Sequence, residues 1–256
     1  MNEGMREVAG LMAHAHRPTV LTGAGISAES GIPTFRGSGG FWKNEEEMMR
    51  LASLEGFLYN PKAVWEFYDR RRVQANSVEP NPGHDALANW ESRAQRRGKD
   101  FALITQNVDG LHARAGSRNI LEMHGSIWQA RCFKGCCADL FMLPGELLPA
   151  YPPECPKCGA MLRPHIVWFG EKLHPAILEE SFALAEESDL MLVVGTSSQV
   201  YPAAGLPYAV KRGGGTVVQV NMEPTELSAA ADYNIYGKSG EILPELMMFV
   251  QLGDKL

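Results

Sequence analysis

No stretch of this sequence runs apolar for the roughly 18 residues that a membrane-spanning helix needs, and it carries no excess of basic residues. Lys and Arg number 24 against 30 Asp and Glu, giving a formal net charge of −6 and a sequence pI near 5.7. That balance predicts no direct binding to nucleic acid and no attachment to an anionic membrane. The N-terminal stretch MNEGMREVAGLMAHAHRP has early acids and no continuous apolar core, so no secretory signal is expected. Cysteine is scarce, with five in 256 residues. Their odd number and mid-chain clustering argue against a disulfide framework and for a reducing, cytoplasmic setting. No internal repeat or low-complexity tract stands out. The 45% hydrophobic content suffices for a sizeable core, in one large domain or a domain with a smaller insert.

The apolar residues that are present fall into short runs. Thr19–Thr22, Phe101–Thr105, Ile120–Met123, Leu190–Gly195 and Thr216–Val220 read as buried parallel strands. Helical patterns lie between several of them, over Asp85–Arg97, Ala176–Glu187 and Ala203–Arg212. Val8, Leu11, Met12 and Ala15 mark an amphipathic first helix ended by Pro18. Strands alternating with helices predict an α/β fold with a doubly wound, Rossmann-like parallel sheet and its ligand at the carboxyl ends of the strands. Two stretches break the alternation: a largely helical insert from Gly37 to Glu79, and a Pro-, Gly- and Cys-rich segment from Cys132 to Cys158. The expected organisation is a large domain of residues 1–36, 80–125 and 170–256. Residues 37–79 and 126–169 would form a small domain, a helical module plus a zinc-ribbon module.

Cys155-Pro-Lys-Cys158 is a C-x2-C knuckle, a turn that points two thiolates at one metal. About twenty residues upstream stands Cys132-Phe-Lys-Gly-Cys136-Cys137. Cys132 with Cys155 and Cys158 leaves the fourth ligand open between Cys136 and Cys137. Four sulfur ligands would make a structural zinc site, one per chain, with no open position for substrate.

The first strand runs into GAGISAESGIPTFRG, residues 23–37. Gly-x-Gly after a strand lets backbone approach a pyrophosphate, although the third glycine of the usual dinucleotide fingerprint is replaced by Ala28. The second strand runs into TQNVDGLH, residues 105–112, and the third into Glu122-Met-His124-Gly-Ser. An imidazole is suited to general-base work near neutral pH. Gly195-Thr196-Ser197 ends the fourth strand and Asn221 the fifth. Together these motifs resemble the sirtuins, NAD-dependent protein-lysine deacylases, from about Thr19 to Gly240. The resemblance implies NAD as co-substrate, held by Gly23, Ala24, Gly25, Ser27, Phe35, Arg36, Gln106, Asn107, Val108, Asp109, Gly195, Thr196, Ser197, Asn221, Glu223 and Ser239. It implies catalytic roles for His124 as base and for Asn107 and Asp109 around nicotinamide. It also favours Cys136 as the fourth zinc ligand, since a Gly often stands where Cys137 does. Val167 and Phe169 of the run Arg163–Glu171, expected to be extended, would wall the acyl-lysine tunnel.

Tyr68 and Arg71 are three residues apart in the helical insert, hence on one face. A phenol and a guanidinium fork suit a distal carboxylate; a solvated basic face over Arg70–Arg72 is the plainer alternative. The pair resembles the Tyr-x-x-Arg of class III sirtuins, with Ala52 widening the pocket. The implied reaction removes acetyl, and also succinyl or malonyl, from protein lysine, giving nicotinamide, O-acyl-ADP-ribose and free lysine. The implied partners are acyl-lysine side chains of proteins. A mono-ADP-ribosyltransferase and a non-catalytic NAD or O-acyl-ADP-ribose sensor are the rival readings.

Overall fold

The computed structural model describes residues 3–34 and 45–252. The apolar runs pair as a six-stranded sheet in the order β3-β2-β1-β7-β8-β9, parallel throughout. Its strands are β1 (Pro18–Thr22), β2 (Ala102–Thr105), β3 (Ile120–Glu122), β7 (Leu190–Val194), β8 (Thr216–Asn221) and β9 (Tyr233–Tyr236). β1 and β7 are buried at every position, as strands covered on both faces must be. α1 (Glu3–His14), α5 (Pro82–Arg96) and α9 (Ser239–Leu252) cover one face. α7 (Pro175–Glu187) and α8 (Leu206–Arg212) cover the other. The strand order reverses between β1 and β7, so the crevice at their carboxyl ends is where such a sheet holds a ligand.

The second unit is an antiparallel sheet in the order β5-β4-β6, from β4 (Gly125–Cys132), β5 (Leu140–Met142) and β6 (Leu162–Ile166). α2 (Glu45–Leu51), α3 (Leu54–Tyr59) and α4 (Pro61–Ser77) precede it in the chain. α4 starts where it does because the Asn60 side chain accepts from Ala63 N–H and Pro61 occupies the first turn. Its inner face joins Val64, Trp65 and Tyr68 to Phe57, Ile127, Leu162 and Trp168 in one apolar cluster. The expected extended run Arg163–Glu171 is a strand only to Ile166. Beyond it the chain leaves the sheet, held by Val167 N–H to His124 O and Phe169 N–H to Ala52 O.

The three arginines of α4 separate by helical phase. Arg70 is exposed. Arg72 is buried, ion-paired with Asp69, and donates to the carbonyls of Pro144 (2.6 Å) and Glu146 (2.9 Å). Asp69 also accepts from Leu148 N–H and the Tyr151 hydroxyl. One buried ion pair thus ties α4 to the 144–151 loop of the cysteine segment.

The thiols of Cys132, Cys136, Cys155 and Cys158 lie within 4.8 Å of one another. The Cys132–Cys158 and Cys136–Cys155 separations are 3.6 and 3.7 Å. Zinc–sulfur bonds of about 2.3 Å in a tetrahedron place sulfurs about 3.8 Å apart, so the cluster fits a structural zinc ion. Cys137 lies outside the group of four. Among the described residues no helix is long and apolar enough to cross a membrane.

Two outcomes follow from these contacts. Asp69→Ala leaves the Arg72 charge buried and unpaired, so urea unfolding should register a loss of about 3–5 kcal/mol, whereas an apolar replacement of both residues should cost less. Metal analysis of the purified protein should find one zinc per chain, retained in Cys137→Ser and lost in Cys136→Ser together with cooperative unfolding of this segment.

Candidate active site

The carboxyl ends of β1 and β7 meet backbone to backbone. Gly25 N–H donates to Gly195 O at 2.8 Å. A Cβ on Gly25 would stand 2.7 Å from Gly195 Cα, and Gly195 itself has φ +62°, a left-handed conformation that glycine adopts without strain. Both glycines are therefore required by this close approach of the two turns. From here the chain runs through a 3-10 segment, Ala24–Ser30, which buries Ser27 beneath the crevice.

Ser27 is the hub of a directed hydrogen-bond chain. Asn81 N–H donates to His84 Nδ1, which leaves the proton on His84 Nε2, 3.4 Å from Ser27 Oγ. Ser27 donates to Asp109 Oδ2 at 2.8 Å, and Leu111 N–H donates to Oδ1 at 2.9 Å. Burial raises the Asp109 carboxyl above the ordinary range, against those two bonds and the nearby Arg71 charge. His84 is fully buried, and its pKa is depressed to about 4 by burial. His112 packs on it with ring centroids 4.8 Å apart and bonds Thr22 Oγ1 through Nε2 at 2.9 Å; burial holds it neutral as well. Read from sequence alone, both histidines lack a role. The expected helix begins at Asp85, past the Asn81 cap that holds His84.

Asn107 is 4% exposed and donates to Gly23 O and Ser27 Oγ at 3.1 and 3.2 Å. Its Oδ1 is buried with no donor, and the residue lines a cavity with Ala24, Val108, Asp109 and Arg71. An orphaned acceptor beside closely approaching glycines fits the ribose hydroxyls of a nucleotide. Around the rim, Gln106 Nε2 bonds Thr196 Oγ1 at 3.0 Å, and Asn221 Nδ2 bonds Thr196 O at 3.1 Å. Ser197 is half-buried beside them and Glu223 is exposed past β8. Ser239, at the start of α9, donates to Glu29 at 3.1 Å. Phe35 and Arg36 lie outside the described residues.

His124 follows β3 and is partly buried. Its Nδ1 lies 3.0 Å from Gln106 O, so Nδ1 carries the proton and Nε2 keeps its lone pair. Burial lowers its pKa below 6.5. Glu122, two residues before it, is pushed up to about 7 by burial and by the Asp109 charge. In the next segment Val167 is half-buried, Trp168 buried and Phe169 exposed. Tyr68, Ala52 and Trp168 share the apolar cluster. The Tyr68 phenol is pushed up to about 12, mainly by burial, with Arg71 opposing.

The Sir2 family model matches residues 23–202. An NAD-dependent protein deacylase of Pyrococcus furiosus is 47% identical over 245 residues, covering 94% of this chain and 96% of that protein. A solved complex of a Sir2 homolog with NAD superposes with TM-score 0.88 at 41% identity, covering 99% of this chain and 95% of that one. Sir2Af2 bound to a myristoylated histone peptide superposes with TM-score 0.77 at 37% identity, over the full length of both chains. With its family motifs gathered at the carboxyl ends of one parallel sheet and its relatives alike from end to end, this chain belongs to the Sir2 family.

Proposed function

We propose that this Sir2-family chain, an NAD-dependent protein deacylase, accepts lysines whose acyl chains end in a carboxylate, succinyl and malonyl, in addition to acetyl. The observation that carries this reading is the pairing of Tyr68 and Arg71. They stand three apart on α4, with Tyr68 buried in the apolar cluster that Ala52 joins, while Arg71, over the Phe67 ring at 5.6 Å, lines the cavity with Asn107 and Asp109. A buried carboxylate needs a cationic or hydrogen-bonding partner, and a phenol with a guanidinium fork meets that need. Related structures hold a myristoylated histone peptide and 2'-O-acetyl ADP ribose, which supports an acyl-lysine substrate and acyl transfer to ribose here.

The substrate lysine enters between the large domain (1–36, 80–125, 170–256) and the small one (37–79, 126–169), against Val167 and Phe169. NAD, when bound, supplies the ADP-ribosyl acceptor with nicotinamide as its leaving group. Gly23, Gly25 and Gly195 admit its phosphates to the backbone. Asp109, held by Ser27 and the Leu111 N–H, accepts from the carboxamide, and Asn107 offers its unpaired Oδ1 to a ribose hydroxyl. Closure of the apolar walls excludes water from the reacting atoms. His124 removes a ribose hydroxyl proton through Nε2, while Gln106 O holds the other ring nitrogen. Zinc stays structural.

His124→Ala should bind NAD normally and lose deacylation by about 10²-fold or more. Because burial lowers the His124 pKa, the base is neutral above that lowered value. The acid limb of the wild-type kcat/KM profile should therefore fall below pH 6.5. Arg71→Met should lower the succinyl-to-acetyl ratio of kcat/KM by roughly 30- to 150-fold, the worth of a charge-assisted contact in a mostly dry pocket. Paired assays on succinyl- and acetyl-lysine peptides check this, and an equal loss on both would make Arg71 merely structural.

A further inference from the structure

Trp168 carries a polar atom that the fold leaves unused. The residue is 2% exposed and its indole N–H is buried without a hydrogen-bond partner. The contrast with its neighbours is sharp. Trp65, Trp90 and Trp128 each donate to a backbone carbonyl, of Leu162, Met12 and Asp109, at 2.9, 3.3 and 2.7 Å. Buried donors are nearly always paired, and one left over asks for an acceptor from outside the chain.

The ring cannot turn to find one. The Arg163 guanidinium lies over it, 3.7 Å from the ring centroid, and Phe57 packs against it at 5.1 Å. Glu171 holds Arg163 through both oxygens, at 2.6 and 2.8 Å, and also accepts from the Trp168 backbone N–H at 3.0 Å. This arrangement clamps backbone and indole in one orientation. In that orientation the indole sits beside Tyr68, with ring centroids 6.4 Å apart.

We infer that the Trp168 indole N–H is a third donor to the far end of the acyl group, completing with Tyr68 and Arg71 a receptor for a carboxylate. This rests on the carboxylate reading of the site given above. A carboxylate presents about four lone-pair directions. The Arg71 fork would satisfy two and the Tyr68 hydroxyl a third, and the indole would supply the fourth. Trp168 thereby discriminates between acyl groups of equal length by their polarity, a task that the aromatic ring alone would not perform.

The test separates the N–H from the ring. Trp168→benzothienylalanine puts sulfur in place of the N–H and keeps the bicyclic shape; Trp168→Phe is the second variant. Succinyl- and butyryl-lysine peptides have equal carbon counts and differ in the carboxylate. The succinyl-to-butyryl ratio of kcat/KM should fall roughly 10-fold in the benzothienyl protein, carried by KM, and at least as far in Trp168→Phe. An unchanged ratio in the benzothienyl protein would overturn the inference. If that ratio still collapses in Arg71→Met, only the third donor is lost. If wild type shows no preference for succinyl over butyryl and Arg71→Met leaves the ratio unmoved, the carboxylate reading falls and this one with it.

Discussion

The close approach of the segments leaving β1 and β7 is the constraint from which the rest of the site follows. Gly25 and Gly195 come to hydrogen-bonding distance there, and only residues without a Cβ permit it. That approach sets where the Ala24–Ser30 segment begins, and so where Ser27 stands. Ser27 in turn sets the orientation of Asp109 and shares Asn107 with Gly23 O. A fault of an ångström at the glycines would be transmitted through three hydrogen bonds to the carboxylate. Such chains suit low-dielectric sites because each bond also fixes the protonation of its neighbour. His84 is an example, neutral because it is buried and singly protonated because Asn81 occupies its other nitrogen.

The small unit obeys a different logic. Its sheet has three short strands, one of them only Leu140–Met142, packed with α3 and α4 in one apolar cluster. Three polar ties add to that packing: the four-thiol cluster, the Asp69–Arg72 pair and the Arg163–Glu171–Trp168 clamp. Two of these are ionic and buried. Such pairs contribute little net stability relative to apolar packing but penalise any arrangement that separates them.

Much of this was legible in the sequence where burial is two-sided. β1, β2, β7 and β8 are continuous apolar runs because helices cover both faces. β9 was not, since as an edge strand it alternates Tyr, Asn, Ile and Tyr with every second residue exposed. α9 was missed too; Pro244 sits inside it. β4 mixes polar and apolar residues and carries an irregular register between Ser126 and Ala130, so no simple period marks it. At the site, the short motifs after strands pointed to Asn107, Asp109 and His124. The pairing of His84 with Ser27 was illegible, because it depends on the docking of a helix 57 residues further along the chain. The run Arg70-Arg71-Arg72 could be phased on a helix from sequence, but not assigned an inward side.

That arginine run has a consequence for how this protein can diverge. On α4, positions 68 and 71 are the pair proposed to meet the acyl chain, while positions 69 and 72 anchor the helix to the cysteine segment. The proposed specificity pair and the ionic anchor thus alternate between Tyr68 and Arg72, little more than one helical turn, with Tyr68 serving the packed cluster as well. On that proposal a lineage can exchange Arg71 and shift its acyl preference while Asp69 and Arg72 keep the helix in place. Functional drift and structural integrity would then be separately heritable in adjacent residues.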